Sequence, residues 1–344
     1  MGTSGGETSS LARGGVPVFS IIVPVLNEER YLAGTLLSIE RQDMDPSHYE
    51  VLVYDGGSSD RTREIMLEWT ARFDNFFLHD NPGRLPAHAR NLGLKAARGG
   101  TIAFVEGHCV LPPNYVRQAL HILERTGADA LGRPISLVIE TDPAMQQAIG
   151  IARESVLCHD LDSPLYGKYE GYISATSSAT VYRREVFDVL GGFDERYYVA
   201  EDVDFNQRFD DRGFRHYFSQ ALACQYHPRL TLGGLFRQMM NYGVGRVRFS
   251  RKRSGRIPWT NFIPLIVVGI VVLSMMSSLL TGSRLFTLPW SGYLCMVIGV
   301  GVWEACRRGK GTLAPLVAAA IVTTHFGLAA GQMKGLVEWT AHRR

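Results

Sequence analysis

Residues 101–112 read T-I-A-F-V-E-G-H-C-V-L-P. The run Ile102-Ala103-Phe104-Val105 is uncharged, β-branched and aromatic, the pattern of a strand buried on both faces. It stops on Glu106-Gly107-His108, two metal-capable side chains separated by a glycine. In open α/β sheets ligands gather just beyond the carboxyl ends of the parallel strands. A carboxylate and an imidazole two residues apart at such an end stand where chemistry is done. Alone, the triplet reads equally as a solvated polar turn; the rest of the chain decides.

The stretches before it repeat the pattern. Residues 18–25, V-F-S-I-I-V-P-V, form a first apolar strand, followed by the polar break Asn27-Glu28-Glu29 and an amphipathic helix through Leu32, Leu36 and Ile39. Residues 51–54 form a second strand, which ends in Asp55-Gly56-Gly57-Ser58-Ser59-Asp60. A helix through Ile65, Met66 and Trp69 comes next, with Asp60 as its N-cap. A third strand over 76–79 and a helix over 86–97 complete the series. Strands alternating with helices predict an α/β fold with a mostly parallel sheet and right-handed crossovers. G-x-G-x-x-G does not follow the first strand, so the usual dinucleotide fingerprint is missing.

Beyond residue 112 the pattern is less regular. Helices are expected over 112–126 and 142–155, a strand over 130–139, and a small-residue run over 171–180 leading into Val181-Tyr182. Glu201-Asp202 opens another helix, and Tyr217-Phe218 and residues 223–226 read as closing strands.

A net charge of +3 says nothing by itself, but residues 231–257 contain no acid and seven basic residues, among them Arg237, Arg246 and Arg248. Mixed with Leu235, Phe236, Met239, Tyr242 and Phe249, this is the composition of a helix lying in a membrane interface. Nucleic-acid binding is the competing reading; the stretch leads straight into an apolar segment, so no nucleic acid is expected. The five scattered cysteines show no C-x-x-C spacing, which suits a reduced compartment and argues against zinc. Residues 1–16 are Gly/Ser-rich without the apolar core of a signal peptide, so a disordered tail and a cytoplasmic catalytic part are expected.

After Arg256 the composition changes. Residues 257–283 and 285–303 carry no charged residue, and 311–333 hold only His325. A spanning helix needs about 20 apolar residues, so about three transmembrane helices are expected in a multi-pass, cell-membrane protein. Three crossings would export His342-Arg343-Arg344, against the positive-inside tendency; a re-entrant last segment is the alternative. The expected organisation is a tail (1–16), a catalytic domain (17–230), a basic amphipathic segment (231–257) and a membrane domain (258–344). A fragment ending near Leu230 is expected to be soluble.

Several motifs together resemble family-2 glycosyltransferases with the GT-A fold. They are S-I-I-V-P-V-L-N-E-E, V-L-V-Y-D-G-G-S-S-D-R-T, G-R-L-P-A-H-A-R-N-L-G-L-K-A-A-R-G and I-A-F-V-E-G-H-C, then Y-R-R-E-V-F-D-V-L-G-G-F-D-E and A-E-D-V-D-F-N-Q-R. E-G-H stands where the family usually has D-x-D. Together with C-Q-Y-H-P-R and R-Q-M-M-N-Y-G-V-G-R it resembles the succinoglycan-biosynthesis glucosyltransferase subgroup.

The resemblance implies a nucleotide-sugar donor, here a UDP-sugar, and a divalent cation, Mn²⁺ or Mg²⁺, to meet the charge developing on the leaving diphosphate. Glu106 and His108 are the candidate metal residues, with His227 a possible third ligand or a satisfied core histidine. The resemblance gives Asp55 the nucleotide base, with Pro24, Asn27 and Glu28 shaping the first loop. For Glu28 the competing reading is a carboxylate favoured by a helix N-terminus; Arg90, with Glu106, is expected to reach the nucleotide sugar, the competing reading for Arg90 being an exposed helix arginine. Direct displacement at an anomeric carbon needs a carboxylate to take the acceptor hydroxyl proton. The resemblance places that base in the Glu201-Asp202 pair, at Asp202, while both could simply cap their helix.

The resulting expectation is an inverting, metal-dependent glycosyltransferase at the cytoplasmic face, acting on a polyprenyl-linked saccharide acceptor. A nucleotide-binding membrane subunit without catalysis is the alternative. A sugar nucleotidyltransferase would need a Gly-rich basic loop where Asn27-Glu28-Glu29 stands.

Overall fold

A computed structural model describes residues 17–159, 163–254 and 262–341. The tail (1–16), the end of the basic segment and His342-Arg343-Arg344 lie outside the described residues. The described chain forms two compact units, one running to Ile135 and resuming over Pro164–Gln225, the other made of Ser136–Ser163 and the chain from Tyr226.

The first unit opens with β1 (Phe19–Val25), α1 (Leu32–Glu40), β2 (Tyr49–Asp55), α2 (Thr62–Thr70), β3 (Phe76–Asp80), α3 (Pro86–Ala96) and β4 (Thr101–Phe104). After β5 (Cys109–Val110) and α4 (Tyr115–Thr126) come β6 (Ala130–Gly132) and β7 (Ile135–Ser136). The expected single strand over 130–139 is thus two short ones, broken at Arg133-Pro134, where proline has no amide hydrogen to give a ladder. α5 (Ala144–Arg153) belongs to the second unit; β8 (Gly171–Tyr172), β9 (Ala179–Arg183), α6 (Glu185–Leu190), α7 (Glu201–Asp211), β10 (His216–Phe218) and β11 (Cys224–Tyr226) follow.

Eight strands form one sheet in the order β3-β2-β1-β4-β9-β6-β10-β8. β3, β2, β1 and β4 are parallel, whereas β9 runs antiparallel to both β4 and β6. β1 and β2 are buried almost throughout, which is why they read as continuous apolar runs rather than alternating ones. β1 sits between β2 and β4, yet it contains Pro24. The β4 ladder ends at Ile22↔Phe104, with Val105 N–H donating to Ile22 O. By the two-residue alternation Pro24 faces that same side beyond the last rung, where a missing amide hydrogen costs nothing.

An aromatic cluster closes the unit. Phe104, at the end of β4, meets Phe193 edge-on at 5.1 Å, and Phe193 stacks on Phe205 of α7 at 4.6 Å. Such pairs contribute roughly 0.5–1.5 kcal/mol each beyond burial. They set the start of α7 against the carboxyl end of β4.

The second unit contains α5, α8 (Leu232–Ser254), α9 (Ile263–Thr281), α10 (Thr287–Cys306) and α11 (Ala314–Ala341). Ile149 and Ile151 of α5, Leu235 and Met239 of α8, Val297 of α10 and Ile321 of α11 share its core. α8 and α11 run side by side at close range: a Cβ on Gly331 would fall within the Met240 carbonyl, and one on Gly243 within the Leu328 carbonyl. Among the described residues, three helical segments, over Ile263–Thr281, Arg284–Cys306 and Gly311–Thr340, are long and apolar enough to cross a membrane.

Candidate functional site

The loops after β1 and β2 are laced together. Asn27, in the left-handed region at φ 56°, accepts from Ser59 N at 2.8 Å through Oδ1 and donates its own N–H to Ser58 Oγ at 2.9 Å. Asparagine is among the few side chains that adopt this conformation readily. Glu28 N–H donates to Thr62 Oγ1, and Glu29 N–H to Asp60 Oδ2. Asp55 ends β2 and is buried; its Oδ1 accepts from Ser58 N at 3.0 Å and from Ser58 Oγ at 2.6 Å. Arg63 Nη1 lies 3.5 Å from the other Asp55 oxygen and 2.7 Å from Asp80 Oδ1. Arg63 was not singled out from sequence; the signal was its place in the first turn of α2, facing the ends of β2 and β3.

Glu106-Gly107-His108 folds back on the first loop. A Cβ on Gly107 would lie 3.0 Å from Val25 Cγ1 and 3.1 Å from Glu28 Cγ, so the close approach favours glycine. His108 is buried, with Nδ1 2.9 Å from Glu28 Oε1. Burial works against its charge, but the Glu28 carboxylate, with Glu106 nearby, raises its pKa above the ordinary histidine value. Glu28 therefore turns away from a purely helix-terminal role and holds the imidazole. Glu106 remains half-exposed, with one oxygen 3.2 Å from Arg90 Nη2.

Arg90 is no surface arginine. It is buried on α3, donates to Glu201 Oε1 at 2.5 Å and to Glu106 Oε1 at 3.2 Å, and lies over the rings of Phe193 and Phe104. Burial opposes its charge; Glu201, Glu106 and Asp202 outweigh that and raise its pKa. One guanidinium thus joins the end of β4 to the start of α7.

The two acids of α7 divide at that point. Ala200, left-handed at φ 64°, turns the chain into the helix. Glu201 is buried against Arg90, whereas Asp202 is exposed and its Oδ1 accepts only locally, from Val203 N at 2.8 Å. Neither side chain forms the N-terminal cap of α7.

His227 lies in the second unit, with Nδ1 2.9 Å from Asp142 Oδ1. Among the described residues, no three His, Cys, Asp or Glu side chains converge as a metal cage. The donor chemistry at the end of β4 fits a substrate-shared cation instead. Mg²⁺-type sites take one or two carboxylates and complete their shell with substrate phosphates and water; the half-exposed Glu106 carboxylate has the oxygen chemistry such a cation takes.

Residues 20–191 match the family described as Glycosyl transferase family 2. The succinoglycan biosynthesis protein ExoA of Rhizobium meliloti (strain 1021) is 25% identical over 321 residues, covering 93% of this chain and 95% of that protein. A dolichyl N-acetyl-alpha-D-glucosaminyl phosphate 3-beta-D-2,3-diacetamido-2,3-dideoxy-beta-D-glucuronosyltransferase of Methanococcus voltae is 25% identical over 277 residues, covering 78% of this chain and 83% of that one. Among solved structures, the mannosyltransferase PcManGT from Pyrobaculum calidifontis, in complex with GDP-Man and Mn2+, shares the fold at a TM-score of 0.56 and 19% identity, over 94% of this chain and 88% of that one. A mostly parallel sheet with acids at its carboxyl edge is the frame of a nucleotide-sugar-dependent glycosyltransferase, and the match over residues 20–191 places the chain in glycosyltransferase family 2.

Proposed function

We propose that this chain is an inverting glycosyltransferase that moves a sugar from a UDP-sugar to a polyprenyl-linked saccharide at the cytoplasmic face of the cell membrane. The observation that carries the reading is the Arg90 bridge, which holds the diphosphate-side carboxylate Glu106 and Glu201, the first acid of α7 and the neighbour of Asp202, on one guanidinium. The base of the nucleotide is assigned to Asp55 and the loop of Pro24, Asn27 and Glu28. Asp202, exposed and free of a cationic clamp, takes the acceptor hydroxyl proton as that oxygen attacks the anomeric carbon and the C–O bond to the diphosphate breaks on the opposite face. Glu201 and Arg90 are positioning residues. Glu106 would hold Mn²⁺ or Mg²⁺, which when bound neutralises charge on the leaving diphosphate; His108, oriented by Glu28, supports that loop. His227, seated on Asp142, is assigned a structural role. The lipid-linked acceptor draws support from the Methanococcus relative, whose name describes a dolichyl-phosphate-linked substrate, and from the three apolar helices.

The test is a screen of nucleotide sugars with membrane-extract acceptors, with and without Mn²⁺. Transfer from a UDP-sugar that is lost with EDTA is expected. Calorimetry should show UDP binding tightened by Mn²⁺, with Glu106→Ala losing most of that gain. Equal UDP affinity with EDTA and Mn²⁺ in both proteins rejects the metal role. Nucleotide binding without turnover of any donor would favour a catalytically inactive assembly subunit.

A further inference from the structure

Among the described residues of the sheet-bearing unit two arginines are buried, and only one has a counter-ion. Arg90 is held by Glu201 and Glu106. Arg133, 4% exposed, stands between β6 and β7 and makes no ion pair with a carboxylate. Backbone carbonyls are the other usual partner: Arg183 of β9 donates to Ala128 O and Leu123 O. Arg133 has none of these either. Its Nη2 lies 3.8 Å from Sγ of Cys109 on β5, a weak acceptor, and its Cζ is 6.0 Å from the ring centroid of Tyr115 on α4. Nε and Nη1 are buried and unbonded.

Its surroundings can donate but carry no negative charge. The Tyr115 hydroxyl and Thr180 Oγ1 of β9 are also buried, and neither makes a hydrogen bond among the described residues. The three side chains lie together: burial raises the pKa of Tyr115, and Arg133 and Thr180 both act to lower it. Burial likewise opposes the charge on Arg133; Cys109 and Tyr115 favour it, and neither is a carboxylate. A buried charge without a counter-ion is strongly disfavoured, and buried N–H and O–H groups are nearly always bonded. Water would satisfy the hydroxyls and leave the charge uncompensated in a medium of low dielectric constant. An anion answers both needs. Enclosure sets its size, since β5, α4, the β6–β7 junction and β9 surround the guanidinium and its unbonded nitrogens have no access to solvent.

We propose that Arg133, Tyr115 and Thr180 form an enclosed site for a small monovalent anion of chloride or bromide size, held by Nε–H and Nη1–H of the guanidinium and by the two hydroxyls. The site uses none of the residues of the Arg90 bridge and does not depend on the function proposed above. Its ion ties β5, which continues from Glu106-Gly107-His108, to α4 and β9, so occupancy is read as stability.

The experiment follows the melting temperature of the full chain in detergent while sodium chloride or bromide replaces sodium gluconate at constant ionic strength. For the unaltered protein a saturating rise of about 3 °C is expected, the shift that a ligand at roughly ten times its Kd gives a protein of this size. Arg133→Met should abolish the response. Tyr115→Phe and Thr180→Val keep shape and remove one donor each; the chloride concentration at half-effect should rise about tenfold or more, as for the loss of a hydrogen bond to a charged group. These two variants decide the matter if Arg133→Met does not fold. Equal melting in chloride, bromide and gluconate would overturn the proposal. So would a chloride response that Tyr115→Phe and Thr180→Val leave unchanged, since the ion would then bind elsewhere. A rise with inorganic phosphate or UDP but not with chloride, lost in Arg133→Met, would make the arginine part of a phosphate site and overturn the enclosed ion.

Discussion

Asp202 and Glu201 are neighbours with different partners, so they predict different phenotypes. Asp202→Asn keeps the local bond to Val203 N but removes the proton acceptor. Transfer is expected to fall by roughly 10²–10⁴-fold, with UDP affinity and melting temperature almost unchanged. Near-normal transfer would reject the base assignment. Glu201→Gln instead weakens the clamp on a buried guanidinium. Losing a partner of a buried pair costs about 3–5 kcal/mol; glutamine keeps an acceptor, so the low end is expected, read as a lowered melting temperature. His216 supplies a pH signature. Burial depresses its pKa from 6.5 to about 4, with Nδ1–H donating to Ile173 O. The folded protein therefore binds fewer protons than the unfolded chain between those values. Stability is full above pH 6.5 and falls as the pH drops toward 4, by up to about 1.4 kcal/mol per pH unit. His216→Gln should flatten that part of a melting-temperature profile; an unchanged slope would assign the acid sensitivity elsewhere.

At the scale of elements, the closest contact in the second unit is between α8 and α11. Gly331→Ala places a methyl group inside the Met240 carbonyl, and backbone cannot move aside as a flexible side chain would. Overpacking of this kind costs typically about 1–3 kcal/mol, so a lower melting temperature in detergent is expected, with UDP binding retained. Gly292→Ala on α10 meets nothing within 4 Å and should be neutral or slightly stabilising, alanine being the better helix former. Equal melting of the two variants would mean that the α8–α11 contact contributes little. The same packing explains why the basic helix cannot be understood from its amphipathic composition alone: its apolar residues Leu235 and Met239 are buried in protein.

For the whole molecule, the division into units alters an expectation drawn from composition. A boundary near Leu230 follows the change in sequence character, but α5 lies before it and packs with the helices after it. A fragment of residues 17–230 would bare Ile149 and Ile151, both fully buried in the intact chain. It is expected to aggregate on gel filtration rather than run as a monomer. A monodisperse fragment would show that α5 does not depend on α8, α10 and α11.

The first four strands, the acids at their ends and the apolar C-terminal helices were legible in the sequence. A parallel strand buried on both faces must be apolar at every position, and its polar ends then stand out. The family resemblance suggested roles, with Asp202 proposed as the base, while Glu106 stood out as a carboxylate at the end of a buried strand. Local pattern records that a face is buried, not what buries it. Nothing near Arg90 announces that it bridges Glu106 and Glu201, the latter 111 residues away, because an ion pair across elements leaves no periodicity in either. His108 and Glu28 meet for the same reason, through the fold of two loops. The apolar face of α5 would look the same against a sheet or a helix, and α11 has the hydropathy of a lipid-facing span while much of it is covered by protein. Those assignments belong to tertiary structure, since the hydrophobic effect rewards burial of apolar surface whatever the neighbour, and only the packed chain supplies the neighbour.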